Sequence, residues 1–104
     1  MLRMFAAEIQ PAKLDRRHVP VPPDAAQGGN GLERALCRVM DVSLYDARLQ
    51  TYSALKNGAT VWLTLAGLGR RAADIVWADD FAARCRFREP LTEAEIEGLG
   101  LALG

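Results

Sequence analysis

Apolar and polar residues alternate along most of this chain. In "LERALCRVMDVS", Leu36, Arg38 and Met40 fall on one side and Cys37 and Val39 on the other. "DARLQTY" repeats the pattern, with Ala47 and Leu49 facing one way and Arg48 and Gln50 the other. In "LKNGATVWLTLAG", Val61, Leu63 and Leu65 form one face, and Trp62 and Thr64 the opposite one. "LGRRAADIVWADD" reads as a fourth strand ending in an acidic turn. "FAARCRFREP" reads as a fifth, with Phe81, Ala83, Cys85 and Phe87 alternating against Arg84, Arg86 and Arg88. A period of two is the signature of a half-buried strand. Asn57-Gly58 adds a turn signal, because both residues accept positive φ. Five such strands with short connections predict a mainly β fold, a small antiparallel barrel or sandwich.

The two ends read differently. Thr92 is placed to cap a helix, and Glu95, three residues on, completes a capping box. Glu93, Glu95 and Glu97 lie where the helix dipole favours negative charge. Ile96, Leu99 and Leu103 share one face, while Gly98 and Gly100 weaken the helix by about 1 kcal/mol each relative to Ala, so it is expected to be short. At the other end, "MLRMFAAEIQ" fits a short strand or a helical turn. "VPVPPDAAQGGNG", Val19 to Gly31, is full of helix breakers and flexible glycines. The expected organisation is a flexible N-terminal segment, 1–31, carrying a basic arm, and a folded body, 32–104.

Composition narrows the function. The 104 residues make one domain, long enough to hold a core unaided. Thirteen basic and thirteen acidic side chains cancel, which argues against a general nucleic-acid binder but leaves room for a local basic patch. Cys37 and Cys85 lie in strand-like runs without metal-ligand spacing and read as buried free thiols, not zinc ligands. The single His, His18, has no nucleophile motif near it, so no enzyme and no cofactor are expected. The "GGNG" stretch lacks the strand, helix and Lys-Ser/Thr of a phosphate-binding loop. No run is long enough to span a membrane and no signal peptide is visible, so the cytoplasm is the expected location. Trp62 and Trp77 read as packing residues; one left exposed would mark a protein contact.

"DVSLYDARLQT", "GATVWLTLAGLGRRAADIVW" and "CRFREPLTEAEIEGL", with a basic segment "KLDRRHVPV" upstream, together resemble the PilZ domain family. The resemblance is best over Ala35 to Leu91. It implies a small β-barrel, which with the capped C-terminal segment gives a small antiparallel β-barrel followed by a short helix. It also implies cyclic diguanylate (c-di-GMP) as the ligand, read by Arg-x-x-x-Arg ahead of the barrel and Asp/Asn-x-Ser-x-x-Gly on it. Arginine forks suit phosphate oxygens and the acceptor edge of guanine. Carried over, the second motif gives Asp41 and Ser43, with Asp46 where the family has Gly. The first becomes Lys13-x-x-x-Arg17, or, slid by one register, places His18 on the second Arg; Arg16 adds a further cation. Arg84 stands where the family frequently has Gly. Lys does not replace Arg in a forked contact, and Asp46 adds both a side chain and a negative charge beside a dianionic ligand. The candidate ligand-binding residues are therefore Lys13, Arg16, Arg17, His18, Asp41, Ser43 and Asp46. The resemblance implies a signalling module with weakened c-di-GMP binding. The alternative is an adaptor that binds no nucleotide and docks a protein partner. Read without the family, Asp41 and Ser43 stabilise a strand-end turn, the basic cluster is a solvated charge group, and Arg48 is a salt-bridged strand residue.

Overall fold

Six strands close on themselves in the order β1-β4-β5-β8-β7-β6, every neighbour antiparallel. The computed structural model describes residues 5–22, 35–51, 55–65 and 67–99. The staves are β1 (Phe5–Pro11), β4 (Ala35–Val42), β5 (Asp46–Thr51), β6 (Thr60–Leu65), β7 (Gly69–Ala78) and β8 (Ala82–Phe87). Two short strands, β2 (Lys13–Leu14) and β3 (Pro20–Val21), form a separate hairpin, and one helix, α1 (Glu93–Gly98), follows the barrel. The mainly β barrel with a short C-terminal helix is as expected. No helix among the described residues is long and apolar enough to cross a membrane. The glycine-rich loop at 28–31, together with Gly100 and Leu103, lies outside the described residues.

The inward residues are those that the alternation marks: Cys37 and Val39, Ala47 and Leu49, Val61, Leu63 and Leu65, Ala73 and Ile75, Ala83, Cys85 and Phe87 are all buried. A six-stranded barrel is narrow, so its layers mix large and small side chains. Val39 lies beside Leu49, which lies beside Ala83. Ala47, Cys85 and Ile75 form the next layer, and Val61, Ala73 and Phe87 another. Leu91 caps this core, and Ile96 and Leu99 pack against it.

The barrel boundary differs from the expected one. Residues 5–11 are not part of an arm outside the barrel; β1 pairs with β4 on one side and β6 on the other, and so closes it. Its inward residues, Ala7 and Ile9, are buried, while Ala6 is exposed. Two alanines on opposite faces blur the apolar-polar contrast on which the alternation reading depends. Phe81 also departs from the expected inward face. β8 begins one residue later, and Phe81 sits in the preceding turn, 63% exposed. Asp79 builds that turn: its Oδ1 accepts from the N–H of Phe81 (2.9 Å) and of Ala82 (2.8 Å).

The expected turn and cap form. Gly58 takes φ +84°, and the N–H of Ala59 closes the turn onto the carbonyl of Lys56 at 3.1 Å. Thr92 and Glu95 exchange side-chain to backbone hydrogen bonds at 3.1 and 3.0 Å, a complete capping box. Glu95 also ion-pairs with Arg71 on β7, tying the helix to the barrel wall.

Cys37 and Cys85 are free and buried. Burial pushes Cys37 up to about 11 and Cys85 up to about 12, from an ordinary 9.0. Their contribution to stability is fully present below the unfolded value and is lost as pH rises through the folded ones, because the unfolded thiols ionise first. At about pH 8 the folded protein should leave a thiol-reactive dye unconsumed and the denatured protein should consume it at both positions. The urea midpoint should fall as pH is raised from 9.0 towards about 11. Rapid labelling of the folded chain would contradict the buried assignment.

Candidate functional site

The residues from 41 to 46 form a tight corner between β4 and β5. The backbone N–H of Ser43 donates to the carbonyl of Asp46 at 2.8 Å. The Ser43 hydroxyl donates to Asp46 Oδ1 at 2.7 Å, and its oxygen accepts from the N–H groups of Tyr45 and Asp46, both at 3.2 Å. Ser and Asp are favoured here because their short polar side chains bond neighbouring backbone. The second Asp46 oxygen, Oδ2, accepts from Arg84 Nη2 at 3.1 Å. Asp46 is thus engaged on both oxygens. Asp41 stands apart from this cluster: it is exposed on β4, opposite Arg48 on β5 in the register. No ion pair forms at Arg48 among the described residues.

The basic segment is folded, not merely a charge cluster. Asp15 organises it: its Oδ1 accepts from the N–H of Arg17 (2.8 Å) and of Val19 (2.9 Å), and its own N–H donates to the carbonyl of Val19 (2.9 Å). The turn places His18 at φ +61°, a left-handed conformation uncommon for a side-chain-bearing residue. Lys13, Arg16, Arg17 and His18 are all exposed on this hairpin. Arg17 lies 3.8 Å from Asp15 with its side chain 85% exposed, a weak surface pair.

Three contacts seat the hairpin on the barrel. Trp62 Nε1 donates to the carbonyl of Val21 at 3.0 Å, the N–H of Ala12 donates to Thr60 at 3.0 Å, and Arg88 Nη1 donates to the carbonyl of His18 at 2.6 Å. Arg88 is the centre of this contact. Its Nε and Nη2 also reach Asp74 at 3.1–3.2 Å, and Nη2 reaches the Thr60 hydroxyl at 3.3 Å. The Thr60 hydroxyl in turn donates to Asp74 at 2.7 Å, so the buried threonine is satisfied. His18 contributes its backbone to this junction.

Bonds from two adjacent residues tie both candidate half-sites to the end of β8. The N–H of Phe87 donates to the carbonyl of Tyr45 at 2.8 Å, and the next residue, Arg88, holds His18. Leu91 adds a bond from its N–H to the carbonyl of Leu44 at 2.7 Å. Between the halves the register sets Asp46, Arg86, Asp74 and Thr60 abreast across β5, β8, β7 and β6. A cavity of about 610 Å³ separates the hairpin from β6 and β7, lined by Val19, Pro20, Trp62, Arg70, Arg71 and Arg88 among others. Arg70 lies over the Trp62 ring, 5.7 Å from its centroid.

Arg84 and Arg88 carry more of this arrangement than motif reading assigns them. Their signal is present: Arg84 and Arg86 alternate on the outer face of β8 with Arg88 just beyond its end, and Asp74 interrupts an apolar strand. The pairing itself, 38 residues apart for Arg84 and Asp46, is tertiary.

Comparison with family models, with curated proteins and with solved structures finds no match. Replacing Arg88 by Ala should release the hairpin without opening the barrel. Amide exchange over 13–21 should accelerate while that of β5 and β8 stays slow, with a loss of roughly 1 kcal/mol in urea unfolding. Equal acceleration throughout would show Arg88 to be a support of the whole fold.

Proposed function

We propose that this chain is a PilZ-like signalling module: a non-catalytic β-barrel that contacts c-di-GMP weakly, using the hairpin cations Lys13, Arg16 and Arg17 with Asp41 and Ser43. One observation carries this reading. Phe87 and Arg88, adjacent in the chain, bind the Tyr45 corner on one side and the His18 turn on the other. The turn that carries Arg16, Arg17 and His18 and the corner that carries Ser43 and Asp46, about thirty positions apart in sequence, therefore border the same end of one strand, with Asp41 further along β4.

The weakness has a physical source. Asp46 occupies the corner and takes one N–H of the Arg84 guanidinium for itself. The two positions at which the chain departs from the family's glycines are thus each other's partners. The ion pair offsets the added negative charge, but the carboxylate still fills space and competes with phosphate for Arg84. With Arg84 56% exposed, the pair is an ordinary surface bridge, of about 0–1 kcal/mol, which a dianion can disrupt.

A second reading, a protein-docking adaptor without nucleotide binding, is favoured by the exposure of Trp77 and Phe81 on the outer face.

Titration of the labelled protein with c-di-GMP, followed by backbone amide shifts, tests the first reading. Saturable shifts are expected at Arg16, Arg17, Asp41 and Ser43. Asp46→Gly combined with Lys13→Arg should tighten binding about tenfold or more, a gain of about 1.4 kcal/mol. Asp46→Asn, which keeps a side chain able to bond Ser43, should give part of that gain. The absence of shifts in the parent and in well-folded variants would overturn nucleotide binding and leave the adaptor.

A further inference from the structure

We infer that the outer face of β5, β8 and β7 docks an extended segment of a partner protein whose apolar side chains are flanked by carboxylates. The inference rests on the protein-docking part of the second reading alone and does not depend on whether the nucleotide binds.

A groove of about 740 Å³ runs across this face, with Met40, Val76, Trp77 and Phe81 supplying its apolar lining and Arg48 and Arg84 its charged lining. Val76 is 52% exposed, Trp77 49% and Phe81 63%. Single exposed apolar residues are ordinary; a tryptophan, a phenylalanine and a valine along one groove are not.

The exposure is built in. Both barrel bulges border this groove: the register shifts between Val39 and Asp41 on β4 and between Ile75 and Trp77 on β7. The extra residues are Met40 and Val76, and both line it. A bulge re-aims the side chains around it, and here two bulges on separate staves do so towards one place. Phe81 is fixed as well. Asp79 holds its N–H at 2.9 Å, and the N–H of Thr51 donates to its carbonyl at 2.9 Å. With its backbone pinned on both sides, Phe81 stands outward before any partner arrives, which lowers the ordering cost of binding.

Charge and topology select the occupant. Two arginines and no carboxylate line the groove. Arg84 gives one N–H to Asp46 and is partly neutralised by it, so Arg48, which makes no ion pair among the described residues, is the main cation left for a partner's carboxylate. Aromatic residues and arginine are the side chains that dominate protein hot spots. The closed barrel offers no free strand edge, so a partner cannot add a strand and must be read through side chains. A segment with aliphatic or aromatic anchors and flanking Asp or Glu matches both parts of the lining.

The test uses the full chain and synthetic peptides of about twelve residues, enough to cross several strands. One set alternates Leu or Phe with Glu; the control set has Lys in place of every Glu. Binding is read by fluorescence anisotropy and by shifts of the Trp77 indole and of the Arg48 and Phe81 amides. The acidic peptide should bind with shifts centred on these residues, and the lysine peptide should bind about tenfold weaker or less. Trp77→Ala and Arg48→Glu should each weaken the acidic peptide about tenfold or more with the amide spectrum otherwise kept. Equal binding of both peptides, shifts centred elsewhere, or no binding at millimolar peptide would overturn the proposal. So would groove shifts that depend on protein concentration alone, which would make a second copy the occupant. Shifts at Arg16, Arg17 and Ser43 with c-di-GMP report separately on the nucleotide reading.

Discussion

Closure of a six-stranded barrel is the constraint from which the rest of this structure follows. The ladder is complete only because β1 fits between β4 and β6, so that the chain's N-terminal strand is hydrogen-bonded on both sides. Without it, β4 and β6 would present two unpaired edges, each a template for association. Closure also sets the interior. The cylinder is too narrow for six large side chains at one level, and the layers accordingly place Ala83 beside Leu49, Ala73 beside Phe87, and Cys85 between Ala47 and Ile75. The two cysteines serve here as small apolar residues held protonated by burial.

The interior is filled largely by apolar residues, and most of the polar chemistry falls to the outside. There the barrel carries ionic and polar links that run across the strands. Arg88 gathers Asp74, Thr60 and the carbonyl of His18, and so converts a two-strand hairpin, too small to persist alone, into a part of the barrel surface. Arg84 and Asp46 do the corresponding work at the β4–β5 corner. On the remaining outer face the bulges at β4 and β7 break the regular ladder and leave apolar side chains in solvent.

Much of this was legible in sequence where contrast was high. Val61, Leu63 and Leu65 against Trp62 and Thr64 defined β6, and the inward set of β8 from Ala83 onward followed its arginines. The capping box at Thr92 and the turn at Gly58 were readable because each depends on neighbours in the chain. β1 was obscured because Ala6 and Ala7 differ in burial but not in polarity. The hairpin was obscured because β2 and β3 are two residues each and one begins with proline; its stability comes from Asp15 within and from Arg88 seventy positions away. Alternation alone carries the strand one residue too far and turns Phe81 inward, since nothing in its polarity records that Asp79 turns the chain there. Of the candidate residues, Ser43 and Asp46 share a hydrogen bond at one corner, a contact that motif matching alone does not express. That Arg84 answers Asp46 required the register between β5 and β8.

The central claim is that β1 is an integral stave and not an arm, and native-state amide exchange tests it most directly. Within β1, those N–H groups that bond β4 or β6 should exchange only through global unfolding, with the same free energy as the slow amides of β5 and β8 and the same response to denaturant. Exchange in β1 that is orders of magnitude faster and insensitive to denaturant would show a barrel that stands open without it, and would contradict the account.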